Sequence, residues 1–297
     1  INADVLAGLS ELADESVHCC VTSPPYWGLR DYGVEGQIGL EPTPEAFVAR
    51  LVDVFREVRR VLRKDGTLWL NLGDSYANDG KWGGSSGGKH VEALHGKSGI
   101  GRAKRNTGLK PKDLVGIPWM VAFALRADGW YLRQEIIWAK PNPMPESVTD
   151  RCTKAHEHVF LLSRSERYFY DAASIREACS DDSHGSPNVN PGRKQEAMGS
   201  NQSGQLGKWT AEDKANGRNK RSVWTIATKP FPEAHFATFP EELAETCVKA
   251  GCPAGGTVLD PFGGAGTTGL VADKLGRSAV LIELNPDYAA MAERRIR

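Results

Sequence analysis

From Thr43 onward, apolar residues recur at three-and-four spacing: Phe47, Val48, Leu51, Val54, Phe55, Val58, Val61 and Leu62. Such a stripe predicts an amphipathic helix, with threonine at its cap and Pro44 in its first turn, ending at Lys64-Asp65-Gly66. The period then shortens. Thr67–Leu72 is an almost continuous apolar run and reads as a buried strand. Ahead of the helix, Ile1–Asp4 reads as the end of a strand, Val5–Leu12 as a short helix and Val17–Val21 as a second strand. A strand, a long helix and another strand make a β-α-β unit, and such units assemble into a parallel sheet covered by helices on both sides. Further along, the pattern predicts a helix over Asp113–Ala127 and strands over Trp130–Ala139 and Glu157–Leu162, expected to be sheet neighbours. The segment Val223–Ile226, a helix over Glu241–Ala250, a short strand at Val258-Leu259 and a last strand over Ser278–Glu283 complete the chain. The class predicted is α/β, with a mixed, mostly parallel sheet.

Two stretches break this pattern. Residues 75–112 are rich in Gly, Ser and Lys and close with Lys97, Arg102, Lys104, Arg105, Lys110 and Lys112. Residues 179–222 carry Arg193, Lys194, Lys208, Lys214, Arg218, Lys220 and Arg221. With few apolar side chains to hold a core, both read as polar insertions. The first is expected to be a mobile basic loop that orders on a polyanion, or else a solvated insertion. The chain as a whole carries no net charge, with 37 basic and 37 acidic residues, so any nucleic acid must be met by these local segments. Six scattered cysteines show no C-x-x-C spacing, and no apolar run is long enough to span a membrane, which leads us to expect reduced thiols and a cytoplasmic protein. His156 and His158 lack a carboxylate or thiol at ligand spacing and read as structural or substrate-facing, not as metal ligands.

Two motifs carry candidate chemistry. Near the C-terminal end, Val258-Leu259 stops at Asp260-Pro261-Phe262, and the loop Gly263-Gly264-Ala265-Gly266 lets the backbone bend and approach a ligand before Thr267 opens a helix. Glu283 lies about 20 residues beyond that loop at the end of the next strand, the separation at which an acid reaches the hydroxyls of a ribose. A purely structural glycine turn gains little from such clustering. A dinucleotide site would need a second half of the fold, yet only 14 residues follow Glu283.

Near the N-terminus, the strand Val17–Val21 runs directly into Thr22-Ser23-Pro24-Pro25-Tyr26. Two successive prolines enter neither a helix nor a ladder, so they set a rigid turn that presents Ser23 and backbone carbonyls as acceptors. Tyr26 and Trp27 offer flat faces for a planar ring. A proline turn capped by core aromatics is the plainer alternative. Cys19 and Cys20 read as packing residues.

Taken together, Thr-Ser-Pro-Pro-Tyr early and Asp-Pro-Phe-Gly-Gly-Ala-Gly-Thr-Thr late resemble the beta-class amino-methylating DNA methyltransferases, over most of the chain outside its polar insertions. The resemblance implies a Rossmann-like methyltransferase fold with permuted motif order: residues 1–178 as the catalytic part, 179–222 as a target-recognition insertion and 223–297 as the cofactor-binding part. It implies S-adenosylmethionine as cofactor and double-stranded DNA as partner, and leaves open a cognate restriction endonuclease and a homodimer. By the same resemblance Ser23, Pro24, Pro25 and Tyr26 take the target base. Thr22, Asp260, Pro261, Phe262, Gly263, Gly264, Gly266, Thr267 and Thr268 belong to the cofactor side, with Glu283 on the ribose and Asp4 near the adenine. His235–Pro240, with Phe239, resembles the segment that closes over the methionine moiety. Where relatives often have serine, this chain has Ala265.

Arg102, Lys104, Arg105, Lys110, Arg193, Lys194, Arg218, Lys220 and Arg221 are the expected phosphate contacts. Serine at position 23 goes mostly with cytosine-N4 in that family, and an acid mostly with adenine-N6. Methylation at cytosine carbon five would require a thiolate, and Cys252-Pro253 has the reverse of the usual order. Cytosine-N4 is therefore the expected target, with adenine-N6 as the alternative; a non-catalytic nucleic-acid-binding protein, or an enzyme acting on RNA or a small molecule, are the remaining readings.

Overall fold

The structure, a computed structural model, describes residues 1–28, 34–77, 108–178, 217–229 and 239–297. In chain order the elements are α1 (Val5–Ser10), β1 (Val17–Thr22), α2 (Pro44–Val61), β2 (Leu62–Leu72), α3 (Ile117–Ala127), β3 (Tyr131–Ala139) and β4 (His156–Ser163). After them come β5 (Val223–Thr225), α4 (Glu241–Gly251), β6 (Thr257–Asp260), α5 (Thr267–Lys274), β7 (Ser278–Leu281) and α6 (Pro286–Ile296). Seven strands form one sheet in the order β5-β3-β4-β2-β1-β6-β7. All pairs are parallel except those of β4, which runs antiparallel to both β2 and β3.

Period-two alternation on β2 decides what each sheet face meets. Leu68, Leu70 and Leu72 enter the core formed with Phe47, Leu51, Phe55 and Val58 of α2 and Val121 and Leu125 of α3. On the opposite face, Trp69 and Thr67 meet Gly251 of α4 so closely that a Cβ there would sit 2.3 Å from Trp69 Nε1. Asn71, two residues further, shares that face. The long helix is held as its sequence indicates, with Thr43 Oγ1 accepting from Ala46 N at 3.2 Å.

Several boundaries differ from the sequence reading, among them three with a clear cause. Strand β2 begins at Leu62, not Thr67, because Leu62 pairs with Val17 across an irregularity in the ladder. Helix α3 begins at Ile117, not Asp113: residues 75–77 and 113–115 pair with each other instead, and Asp74 Oδ1 accepts from Gly116 N and Ile117 N, both at 3.0 Å. An acid from another element thus supplies the cap that Gly116 lacks. At the N-terminus, Ile1–Asp4 contributes one bridge, Asn2 to Glu283, in place of a strand. The predicted mobile character of 75–112 falls mostly on residues 78–107, outside the described residues.

The chain separates into two compact units, Ile1–Asp171 with Ser222–Arg297, and Ala172–Arg221. In the described part of the second, a 3-10 turn at Ala173–Ile175 leads to Glu177, which bridges to Arg218. Both Arg218, at 3.3 Å, and Arg221, at 2.9 Å, pair with the Glu177 carboxylate. No helix among the described residues is long and apolar enough to cross a membrane.

Candidate active site

The two motifs, at opposite ends of the sequence, meet at the tips of neighbouring strands. β1 pairs in parallel with β6, Cys20 beside Leu259, so the turn that starts at Thr22 and the loop that starts at Asp260 leave the same edge of the sheet. β1 lies where the order turns from β2 on one side to β6 on the other, the place where open α/β sheets form a ligand crevice.

Asp260 joins them. Its side chain is 1% exposed and accepts from Thr22 Oγ1 (2.7 Å), Thr268 Oγ1 (2.7 Å) and Phe262 N (3.1 Å). Burial pushes the carboxyl up to about 6, against the hydrogen bonds that favour its charge. Asp260, Thr22, Thr267 and Thr268 are all buried. These four therefore hold the loop in place from within, and Pro261 is buried with them.

The loop's glycines serve different ends. Gly266, at φ +79°, packs so tightly on α6 that a Cβ would lie 2.8 Å from Ala292 Cβ. Gly263 is enclosed too, with a Cβ reaching Leu281 at 3.0 Å. Gly264 differs: at φ +49°, the nearest atom to a Cβ would be Phe262 O at 3.9 Å, so it faces open space. Beside it, Glu283 Oε2 accepts from Gly264 N and Oε1 from Asn285 N, both at 2.8 Å. Burial pushes Glu283 up, partly offset by those backbone donors. An open glycine backbone next to a carboxylate suits a nucleoside with ribose hydroxyls to donate, so these residues fit S-adenosylmethionine.

Asp4 lies close by in the chain's first segment, which pairs with Glu283 through Ala3 N to Glu283 O at 3.1 Å. Its carboxylate caps α1, accepting from Leu6 N at 2.9 Å. Phe239 is half-buried and lines a small cavity with Val21, Thr22, Trp69 and Asn71. Residues 235–238 of the closing segment lie outside the described residues.

At the Ser-Pro-Pro-Tyr turn, Ser23 and Tyr26 are half-buried and Pro24 is buried. The sequence had not revealed what stands behind them. Tyr26 OH donates to Glu157 Oε2 at 2.6 Å, and Asn71 Nδ2 lies 2.9 Å from the same oxygen, 3.0 Å from Tyr26 OH and 3.4 Å from Ser23 Oγ. Lys140 pairs with the other Glu157 oxygen. Burial pushes Glu157 up, but Lys140, Tyr26 and Asn71 outweigh it and hold the carboxyl below its ordinary value. The signals were present: one amide inside an apolar strand, and one acid between two histidines at the start of another.

Trp27 corrects the sequence reading. It is 5% exposed, lies in the hydrophobic core and donates through Nε1 to Glu41 O at 3.0 Å, so it offers no face for stacking. The Tyr26 ring lies against the backbone at Gly73, where a Cβ would meet Cε2 at 2.4 Å. His158 Nδ1 lies 2.7 Å from Glu135 Oε1, and His156 stands edge-on to His158. Arg102, Lys104, Arg105, Arg193 and Lys194 fall outside the described residues, and Lys110 is exposed.

The DNA methylase family model matches residues 17–294. The chain belongs to that family. Membership makes it an S-adenosylmethionine-dependent DNA methyltransferase. It is 47% identical to the Type II methyltransferase M.SmaI of Serratia marcescens over all of this chain and 89% of that one. Among solved structures, the cytosine-N4-specific PvuII DNA methyltransferase shares the fold, with a TM-score of 0.64 at 18% identity, over 99% of this chain and 84% of that one. A protein of Thermus thermophilus described as a DNA modification methylase, complexed with S-adenosyl-L-methionine, aligns with a TM-score of 0.59 at 25% identity, over 99% and 90%.

Asp260 lends itself to a pH test. Its proton is held in the folded protein up to about pH 6 but lost near 3.8 when unfolded, so its contribution is fully present below pH 4 and lost as pH rises through 6. Relative to Asp260→Asn, which keeps the shape without the charge, the wild type should lose on the order of 2 kcal/mol of stability between pH 4 and 7. Urea unfolding of both proteins across that range measures it, and a constant difference would refute the buried titration.

Proposed function

We propose that the protein methylates the exocyclic N4 of a flipped-out cytosine at a specific site in double-stranded DNA. Ser23 carries the reading: a neutral hydroxyl at the lip of the site, with Asn71 Nδ2 as a donor on its inner side. A hydroxyl supported this way keeps its own hydrogen for the acceptor nitrogen of the ring, while its oxygen accepts from the amino group.

Bound S-adenosylmethionine supplies a sulfonium-linked methyl group open to displacement. Gly264 and Glu283 would hold it, with Asp260 fixing the loop from beneath. The amino nitrogen is conjugated with its ring and is a poor nucleophile. Ser23 Oγ and the Pro24 carbonyl accept hydrogen bonds from its two N–H groups and direct the lone pair towards the incoming methyl group. As the new N–C bond forms and the carbon–sulfur bond breaks, the nitrogen gains positive charge and releases one proton, past Ser23 Oγ, to water. The ionised Glu157, linked to Ser23 through Asn71, lowers the cost of that charge. No covalent enzyme intermediate is required.

The amino group is hidden in the base stack, so the base must leave it at a cost of a few kcal/mol. The Tyr26 ring, held by its hydroxyl on Glu157, is the aromatic surface available to receive it, a contact worth roughly 1–3 kcal/mol. The Type II designation of M.SmaI supports a restriction–modification setting, with a cognate endonuclease as counterpart.

Incubating unmethylated genomic DNA with the enzyme, followed by nucleoside analysis and sequencing, should yield N4-methylcytosine at one short sequence. N6-methyladenine alone would overturn the base assignment. Ser23→Ala should lose most turnover and keep cofactor affinity, since the hydroxyl acts on the base. Glu283→Ala should weaken cofactor binding by about 1–3 kcal/mol, through loss of an acceptor for the ribose hydroxyls. Calorimetry reads both affinities, and an unchanged Glu283→Ala value would remove Glu283 from the site.

A further inference from the structure

The connection between β3 and β4 leaves directly from the catalytic network. Lys140, paired with Glu157, stands at its first residue, and Lys140 N donates to Ala155 O at 2.8 Å, closing the base of the loop. The sequence between is Pro141-Asn142-Pro143-Met144-Pro145-Glu146. Three alternating prolines fix φ at every second residue and remove three backbone donors, so this arm is stiff.

It is also tied down on both flanks. On one, the Asn142 side chain makes two hydrogen bonds with the Thr228 backbone, at 3.1 and 3.0 Å. On the other, Glu146 accepts from Arg151 Nη1 at 2.5 Å, the Arg151 guanidinium lies 4.1 Å over the Tyr76 ring, and Lys154 Nζ donates to Asp74 O at 3.0 Å. Between these anchors, Met144 is 85% exposed, the most exposed large hydrophobic side chain among the described residues.

A lone exposed apolar residue is ordinary on a flexible surface. This one is held in water by a braced turn, at the lip of a site whose substrate is a base that must leave a stack. It lies four positions along the chain from Lys140, a span of at most about 14 Å. We propose that Met144 is a wedge that enters duplex DNA beside the target and occupies the space the flipped base leaves. A thioether chain is unbranched and polarizable, suited to filling an irregular apolar gap between base pairs.

This inference rests on the base-flipping part of the proposed function and holds for either target base. Its test uses the full chain and a duplex carrying the methylated sequence, either fully paired or with a mismatch opposite the target base, which is then already loosened. Met144→Ala should cut kcat/KM on the paired duplex by about tenfold or more while leaving the mismatched duplex within about twofold. Met144→Leu should retain the paired-duplex rate. A 2-aminopurine placed at the target should brighten less with Met144→Ala than with wild type when the protein binds without chemistry. An unchanged rate on paired DNA, or equal loss on both duplexes, would overturn the wedge. Detection of N6-methyladenine would overturn the base assignment alone.

Discussion

One buried carboxylate holds the site together. Asp260 lies at the tip of β6, and the hydroxyl it accepts at 2.7 Å belongs to Thr22, 238 residues earlier in the chain. A carboxylate taken out of water is costly unless its lone pairs are satisfied, and here Thr22, Thr268 and the Phe262 amide provide for them. The same three partners are the last residue of β1, the first turn of α5 and the start of the glycine loop. Satisfying one charge therefore fixes the Ser-Pro-Pro-Tyr turn, the glycine loop and the helix behind it relative to one another. Asp260 acts as a positioning residue, while the loop's surface is left to Gly264 and Glu283.

A second charge is handled differently. Glu157 stays ionised because Lys140 pairs with one of its oxygens while Tyr26 and Asn71 serve the other. That arrangement immobilises the Tyr26 ring against Gly73 and places a hydrogen-bond donor behind Ser23. The residue at the lip can thus be a neutral serine, with negative charge one side chain further back. Removing Glu157 would leave Lys140 and Asn71 without their shared partner, so its effect would reach the turn's geometry as well as its electrostatics.

Residues 1–3 pair with the chain at Glu283. Glu283 N donates to Ile1 O, and Ala3 N returns a bond to Glu283 O, so the first residues extend the edge beyond β7 before Asp4 caps α1. Permuted motif order is accommodated in this way: what is split in sequence is rejoined by backbone pairing at the β1–β6 and Asn2–Glu283 junctions.

Much of this was determined by sequence alone. Apolar periodicity located the long helix and the central strands, and local turn chemistry marked both functional loops, because those signals act between residues a few positions apart. The spacing from the glycine loop also pointed to Glu283, which the structure places beside Gly264. Tertiary structure decided the rest. Asp260 and Glu283 look alike in sequence, yet one faces inward to two threonines and the other lies beside the open Gly264. Trp27 resembled a stacking surface until the core around Ile38 and α2 enclosed it. Asn71 and Glu157 lie on different strands and Lys140 directly follows a third, so only the order β3-β4-β2-β1 brings them behind Ser23 and Tyr26. Alternation along a strand tells which side chains share a face, but their partners across that face depend on which strands lie beside it, and long-range pairing sets that.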